Sequence, residues 1–224
     1  MGSQSDNEIR ANVLKIAKAM YNKGMANALE GNVSFRDNNR VYITPSGICK
    51  EYLTNDMIAV VDMTGKQIEG KHKPSSELKL HLKCYALRDD VKAVIHAHSP
   101  YSTAYAIANK PIETKAYPEM IVAFDKIPLV KYGTPSTNEI HEGVSDVIFN
   151  YDVFLLANHG IVSVSPDLLD AFLRLEAVES IAKVLAITEQ IGGEQPLPPE
   201  KIPVLYEIRK QQVAERKARF NKDQ

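Results

Sequence analysis

Three histidines at the ends of two apolar runs are the residues of this sequence best suited to chemistry. His96 and His98 follow the run 91–95, and His159 follows the run 153–157. Because side chains alternate along a strand, His96 and His98 would project from one face, although they could also be just a hydrogen-bonded pair. Neutral imidazole favours Zn²⁺, and catalytic zinc takes three protein ligands and keeps an open position. If the two runs are neighbouring strands, the three histidines form such a site.

Two short polar stretches flank a predicted β-hairpin at residues 31–44. Gly31-Asn32 stand at its start, and Ser46-Gly47 follow it. Unencumbered backbone N–H groups and short polar side chains are what an anion such as phosphate needs. Either stretch taken singly is more typical of an ordinary turn than of a binding site. Together they indicate a candidate anion-binding surface at the two ends of the hairpin.

A third polar stretch opens a predicted helix directly before the first histidine-bearing strand. Ser75 is predicted to be the N-cap and Glu77 to lie in the first turn, where the helix dipole favours an anion. Pure helix capping explains these residues as well. If this N-terminus lies near the metal, Ser75 and Ser76 could bind phosphate, and Glu77 could act as a fourth ligand or a base. His81, one turn after Glu77 on the same face, is a competing ligand.

Two further polar residues could take part in catalysis. Glu119 stands before an apolar run and would usually be a solvated strand end, but beside a metal it could be a second acid or base. Tyr206 lies in a charged, weakly amphipathic tail after Pro199. That tail could be a mobile lid, an intersubunit arm or a frayed end.

Periodicity and turn residues predict the elements that must position these groups. A first helix is expected between Asp6, as N-cap, and Gly24, as the residue that ends it. Further strands are expected at 58–62 and 127–130, and further helices at 103–108, 138–148 and 166–190.

Composition narrows the classes of protein that this chain can belong to. Its 224 residues suit one sizeable α/β domain. Lys and Arg number 27 against 28 Asp and Glu, so no basic surplus indicates nucleic-acid binding. The sequence has no long apolar run and no signal-peptide pattern, and Cys49 and Cys84 suggest reduced thiols, so a cytoplasmic protein without membrane attachment is expected. Phosphate-loop, dinucleotide-binding and serine-hydrolase motifs are all missing.

In combination, the polar stretches resemble the class II aldolase/adducin family. The resemblance spans roughly residues 10–190 and rests on five motifs in order: Gly31-Asn32-Val33-Ser34, Thr44-Pro45-Ser46-Gly47, Pro74-Ser75-Ser76-Glu77, His96-Ala97-His98 and Asn158-His159-Gly160. It implies a three-layer α/β/α fold around a central mixed, largely antiparallel sheet, usually assembled as a C4 homotetramer. We expect one such domain over 1–224, with a core at about 7–192 and the tail 193–224 as a mobile or intersubunit segment.

The resemblance also implies roles for individual residues. Zn²⁺, or another divalent metal such as Mn²⁺ or Co²⁺, would be held by His96, His98 and His159. Glu77 would be a ligand at rest and a proton shuttle in turnover. The substrate phosphate would be bound by small and polar residues: Asn32, Ser46, Gly47, Ser75 and Ser76. Glu30 stands where a small residue is usual, so the phosphate loop is expected to differ locally.

The implied reaction is the reversible cleavage of a ketose 1-phosphate, of the L-fuculose 1-phosphate type, into dihydroxyacetone phosphate and an aldehyde. A metal would stabilise the enediolate formed. Glu119-Met120-Ile121, however, resembles the branch that dehydrates methylthioribulose 1-phosphate, so a dehydratase, or a pentulose-phosphate 4-epimerase, is the alternative. A non-enzymatic adducin-like domain is disfavoured because the three histidines and Glu77 are intact. Tyr206 resembles a tyrosine that a neighbouring subunit donates to the site.

Overall fold

The computed structural model describes residues 5–134 and 139–222, which form a mixed sheet flanked by helices. The strands, in chain order, are β1 (Asn32–Asp37), β2 (Arg40–Ile43), β3 (Ala59–Asp62), β4 (Gln67–Glu69), β5 (Ala93–Ala97), β6 (Ile112–Glu113), β7 (Lys126–Ile127), β8 (Leu129–Val130), β9 (Val153–Leu156) and β10 (Gly160–Ser165). Eight of them form the main sheet in the order β4-β3-β2-β1-β5-β10-β9-β8, and β6 pairs with β7 separately. In the main sheet only β8 and β9 run parallel, so the sheet is largely antiparallel, as predicted.

Helices cover both faces of this sheet. They are α1 (Asp6–Asn22), α2 (Leu78–Leu87), α3 (Pro100–Ile107), α4 (Pro118–Ala123), α5 (Leu168–Gln190) and α6 (Ile202–Lys222), with short 3₁₀ helices at Lys50–Tyr52, Asn55–Met57, Glu139–Asp146 and Pro199–Lys201. Side chains of β5 alternate between two apolar clusters: Ile95 packs with α1, α3 and α5, and Val94 packs with α2. Two cores on opposite faces make a three-layer α/β/α fold, and the predicted fold class is confirmed.

Helix ends follow local capping chemistry, with some shifts from prediction. Ser5, and not Asp6, is the N-cap of α1. Its side chain accepts from the backbone N–H of Glu8, and the Glu8 carboxylate accepts from the backbone N–H of Ser5. The predicted cap of α2 at Ser75 is wrong, because α2 begins at Leu78 with Glu77 as N-cap. The Ser75 backbone N–H instead donates to the Thr44 carbonyl, at 3.1 Å, which ties this stretch to the hairpin.

Three other predicted elements differ from the structure. The run containing Glu119 is the helix α4 and not a strand end, since Pro118 opens it in the first helical turn. The strand expected at 127–130 is split between β7 and β8, which belong to different sheets. The helix expected at 138–148 is the 3₁₀ helix Glu139–Asp146, and Asn138 lies outside the described residues.

The C-terminal segment forms a helix that packs on the body of the chain. α6 contacts α4, and Arg216 on α6 forms ion pairs with Asp152 and Asp170, each at 2.6 Å. Within the described residues, none of the helices is both long enough and apolar enough to cross a bilayer.

Candidate active site

The three predicted histidines converge at one end of the sheet. His96 is buried in β5, His98 follows the strand, and His159 lies in the tight turn between β9 and β10. Their ring centroids are 4.6 to 4.9 Å apart, and the ligating nitrogens lie within 4.8 Å of one another. The two predicted strands are not neighbours, because β10 lies between β5 and β9. The turn after β9 nevertheless brings His159 to the end of β5, since β10 pairs with β5 directly.

Gly160 allows this close approach of the turn to β5. A Cβ atom at this position would lie 2.4 Å from the carbonyl oxygen of Ala97 and 2.9 Å from the His98 ring. Both distances are too short for any side chain, so glycine is required by space. Asn158, two residues before Gly160, has φ of 58°, a conformation that asparagine tolerates better than most residues.

The hydrogen bonds of His96 and His98 suit a metal ligand set. Nδ1 of His96 lies 3.0 Å from the carbonyl oxygen of Ile161, so this nitrogen donates and Nε2 keeps its lone pair. That Nε2 lies 3.0 Å from Nε2 of His98 and 3.2 Å from the Glu77 carboxylate. Lone pairs this close repel one another unless a proton or a cation lies between them.

His159 completes the set from the other side. Its Nε2 lies 3.1 Å from Oε1 of Glu77, and its buried Nδ1 has no hydrogen-bond partner among the described residues. Three imidazole nitrogens within 4.8 Å of one another, with a carboxylate 3.1 to 3.2 Å from two of them, are a donor set that divalent transition metals such as Zn²⁺ prefer. The residues present therefore fit the metal that the family resemblance implies.

Burial keeps the imidazoles of His96 and His98 in the form that binds metals. Burial lowers the pKa of His96 to about 3, and it also lowers the pKa of His98. Both rings are therefore neutral near pH 7, with a lone pair available, as ligation requires.

Glu77 faces the histidines from the N-cap position of α2. Burial would raise the pKa of its carboxyl group, but the imidazoles of His96 and His159 and the side chain of Asn32 outweigh burial and lower that pKa. The Asn32 amide donates to Oε2 of Glu77 at 2.7 Å. Glu77 is thus held as a carboxylate whose two oxygens each contact an imidazole.

A pocket of about 200 Å³ adjoins the histidines. It is lined by His98 and by residues from the hairpin ends and the start of α2, namely Leu29, Glu30, Gly31, Asn32, Pro45, Ser46, Gly47, Ser75, Ser76 and Glu77. The structure thus brings the five predicted phosphate-binding residues into one pocket. An isolated bridge between Pro45 and Pro74 joins the two serine-bearing stretches, which explains why residues so distant in sequence meet there.

Two predicted catalytic residues lie elsewhere in the chain. Glu119 is exposed in the first turn of α4 and does not line this pocket. The Tyr206 hydroxyl donates to Asp125 at 2.6 Å and accepts from Lys115 at 2.5 Å. Neither residue meets the histidine cluster within the described part of one chain.

Glu30 is a site residue that sequence reasoning did not assign. Its carboxylate lies 3.5 Å from Nδ1 of His98, and its side chain borders the pocket. A carboxylate beside Nδ1 favours the proton there and leaves Nε2 of His98 directed at the cluster. The unusual glutamate before Gly31 was the signal, but spacing alone could not reveal its partner.

Comparison with known proteins identifies the family. The sequence profile described as "Class II Aldolase and Adducin N-terminal domain" matches residues 11–186. A protein of Methanococcus maripaludis named L-fuculose phosphate aldolase is 38% identical over 173 residues, covering 77% of this chain and 93% of its own. One of the same name from Escherichia coli is 34% identical over 202 residues, covering 90% and 94%.

The fold agrees with that assignment. A solved structure named L-fuculose 1-phosphate aldolase superposes with a TM-score of 0.82 at 31% identity, covering 92% of this chain and 96% of that one. The family profile spans the hairpin, the start of α2 and all three histidines. The chain therefore belongs to the class II aldolase and adducin family, as a lyase of the class II aldolase type.

Proposed function

We propose that this chain is a zinc-dependent aldolase that reversibly cleaves a ketose 1-phosphate of the L-fuculose 1-phosphate type into dihydroxyacetone phosphate and an aldehyde. The observation that carries the proposal is the convergence of three imidazoles and Glu77 beside a serine-lined pocket. The names of the relatives support the same substrate class.

The pocket supplies the features that a phosphate group needs. Ser46, Ser75 and Ser76 offer hydroxyl groups, and Gly47 has φ of 70° with open space where a side chain would stand. The start of α2 also directs its helix dipole at this pocket, which favours an anion. We propose that these four residues and Asn32 bind the substrate phosphate, and so place the sugar carbons beside the histidines.

His96, His98 and His159 would hold the cation, and Glu77 would complete the set before substrate binds. The bound Zn²⁺ would act as a Lewis acid that stabilises negative charge developing on the substrate oxygens. Cleavage between C3 and C4 removes the proton of the C4 hydroxyl group and adds a proton at C3. Glu77, whose carboxylate borders both the histidines and the pocket, would move the proton at C3.

The proton of the C4 hydroxyl group needs a second acid or base, which we assign to Glu119 and Tyr206 of a neighbouring subunit. Both residues lie away from the pocket of their own chain. A cyclic homotetramer would place them at the next subunit's site, since each interface of a ring joins two different surfaces. We propose such a tetramer, located in the cytoplasm, where the two free cysteines would stay reduced.

An assay for dihydroxyacetone phosphate tests this proposal. The zinc-loaded protein should release it from at least one member of a panel of ketose 1-phosphates. The chelated protein should not, and zinc should restore release. A protein that contains zinc but releases dihydroxyacetone phosphate from no member of the panel would contradict the proposed reaction.

A dehydratase acting on methylthioribulose 1-phosphate is the second candidate. The run Glu119-Met120-Ile121 resembles the family branch with that activity, and Glu119 lies in the first turn of α4. A glutamate that is the main acid and base of a dehydration cannot be replaced by an amide. Glu119→Gln should therefore abolish a dehydratase, whereas an aldolase that uses Glu77, with Tyr206 still present for the C4 hydroxyl proton, keeps measurable turnover. Loss of water from methylthioribulose 1-phosphate, without release of dihydroxyacetone phosphate, would select the dehydratase.

A further inference from the structure

A line of buried hydrogen bonds runs behind Glu77, from β1 to the interior face of α2. The Tyr85 hydroxyl lies 2.6 Å from Oγ of Ser34, and the same oxygen lies 2.6 Å from Nδ1 of His81. Nε2 of His81 bonds to Oδ1 of Asn32, whose Nδ2 donates to Glu77 at 2.7 Å. The line therefore ends on the carboxylate that faces the histidine cluster.

Donor and acceptor counting gives this line one direction. Carboxylate accepts only, so the Asn32 amide must present its NH₂ group to Glu77 and its oxygen to His81. That oxygen needs a donor, so His81 must carry its proton on Nε2. Nδ1 then accepts from the Ser34 hydroxyl, which leaves Ser34 to accept from Tyr85.

Burial leaves these side chains no alternative hydrogen-bond partners in water. Ser34, His81 and Tyr85 are fully buried and Asn32 almost so, so water cannot replace a missing partner. Burial also lowers the pKa of His81 to about 4, which keeps the ring neutral with a single N–H near pH 7. The Glu77 carboxylate selects the amide orientation, and the neutral His81 ring holds it by donating from Nε2 to Oδ1 of Asn32 while its Nδ1 accepts from Ser34.

We propose that His81 is a positioning residue that locks the Asn32 amide in the orientation that donates to Glu77. It thereby fixes the Glu77 carboxylate against His96 and His159. Its significance for turnover rests on the proposed aldolase function, but its effect on Glu77 and on metal binding does not. Both ring nitrogens of His81 take part in this line. Metal binding by His81, which the sequence left open, would therefore break two buried hydrogen bonds.

The nitrogen chemical shifts of His81 test the direction without any variant. In the metal-free wild-type protein with ¹⁵N-labelled histidine, His81 should show a protonated Nε2 and an unprotonated Nδ1 near pH 7. A proton on Nδ1 would overturn the proposal, because the Asn32 amide would then have no donor from His81.

Zinc affinity tests the consequence. His81→Leu removes the donor to Asn32 and should weaken zinc binding by about 10- to 100-fold, as the loss of a residue that orients a ligand does. His81→Gln, whose amide can donate to the same oxygen, should recover part of that loss. Affinity is measured by competition with a chromophoric chelator and does not depend on which reaction the enzyme catalyses.

Leu80→Ala is the matched control, since Leu80 is a fully buried neighbour on α2 outside the hydrogen-bonded line. It should lower the melting temperature while keeping wild-type zinc affinity. Ser34→Ala provides a second probe if His81→Leu does not fold, and should weaken zinc binding in the same direction. Equal zinc affinity in Leu80→Ala and in the foldable line variants would overturn the proposal. If the dihydroxyacetone phosphate assay fails but the His81 and Ser34 variants still weaken zinc binding as predicted, only the proposed reaction is refuted.

Discussion

At the scale of single residues, Gly160 sets how closely the His159 turn approaches β5. Gly160→Ala would place a methyl carbon 2.4 Å from the Ala97 carbonyl oxygen. Backbone atoms cannot yield as a flexible side chain can, so the turn must move. We expect a loss of about 1–3 kcal/mol in the free energy of unfolding, together with weaker zinc binding.

Gly192→Ala is the control for that change. Its added methyl meets nothing within 4 Å, although φ of 122° still strains the backbone. It should cost some stability and leave zinc affinity unchanged. If Gly160→Ala keeps wild-type zinc affinity, the turn does not hold His159 at the cluster in the way described.

Glu77 allows a second test at this scale. Glu77→Gln keeps the size of the side chain but removes its charge and brings an NH₂ group toward donors such as Asn32. The barrier to turnover should rise by about 3–4 kcal/mol, as when a preorganised electrostatic group is lost. Steady-state kinetics at saturating zinc measures it. Unchanged kcat would remove Glu77 from the catalytic step.

The clustering of the three histidines was predictable because residue type and spacing indicate a metal site. The alternation of β5 places His96 and His98 together, and Asn158-His159-Gly160 belongs to a specific combination of motifs. The line from Glu77 through Asn32 to His81 was not predictable in this way. It depends on which face of α2 packs against β1, and that is a tertiary contact.

At the scale of elements, Asp152 joins three segments that are distant in the chain. Arg88 after α2 and Arg216 on α6 each bind its carboxylate at 2.6 Å, and Arg174 on α5 lies at 3.6 Å. Asp152→Asn would leave these guanidinium groups facing one another with little solvent. We expect a loss of about 3 kcal/mol in the free energy of unfolding, measured by urea denaturation.

Asp90→Asn is the matched control, because Asp90 pairs with Arg88 at the surface, where its side chain is 51% exposed. A surface pair of this kind contributes under about 1 kcal/mol. Equal losses from the two substitutions would show that the Asp152 cluster does not hold α6 to the body of the chain.

The same cluster predicts a pH dependence. Burial would raise the pKa of Asp152, but Arg174, Arg216 and Arg88 outweigh it and lower that pKa. Because the folded-state pKa is lower than the unfolded value of about 3.9, the stability it contributes is complete above that value and is lost as pH falls below it. The stability difference between wild type and Asp152→Asn should therefore shrink below about pH 4. A difference that stays constant down to pH 2 would contradict this assignment.

Element types were predicted better than their order in the sheet. The long apolar stripe of α5 and the alternation around β1 and β2 specified those elements locally. The position of β10 between β5 and β9, and the single parallel pair of β8 and β9, follow from long-range pairing that periodicity does not encode. The start of α2 shifted to Leu78 for the same reason, since the hairpin captures the Ser75 backbone.

At the scale of the whole molecule, the proposed assembly makes each site depend on two subunits. Glu77→Gln and Tyr206→Phe should each be nearly inactive, because one removes the carboxylate of the pocket and the other removes a hydroxyl supplied by the neighbour. If the two variants are unfolded and refolded together, mixed tetramers contain sites with both residues intact. Random assembly should restore roughly a quarter of wild-type activity.

Separately refolded variants mixed afterwards serve as the control and should stay inactive. If co-refolding restores nothing while light scattering shows mixed oligomers, Tyr206 does not act across an interface.

The family profile ends at residue 186, before α6 begins at Ile202. None of the five motifs lies in α6, so the sequence left the role of the tail open, whereas the resemblance that those motifs carry implied the core fold.

The central claim is that His96, His98 and His159 bind one divalent cation between them. Titration of the metal-free protein with zinc, followed by mass-spectrometric metal analysis, tests it most directly. We predict one zinc ion per chain in the wild type and a loss of at least about 100-fold in affinity in His159→Ala, because only two imidazoles then remain. Wild-type affinity in His159→Ala, or zinc held elsewhere in the chain, would contradict the claim.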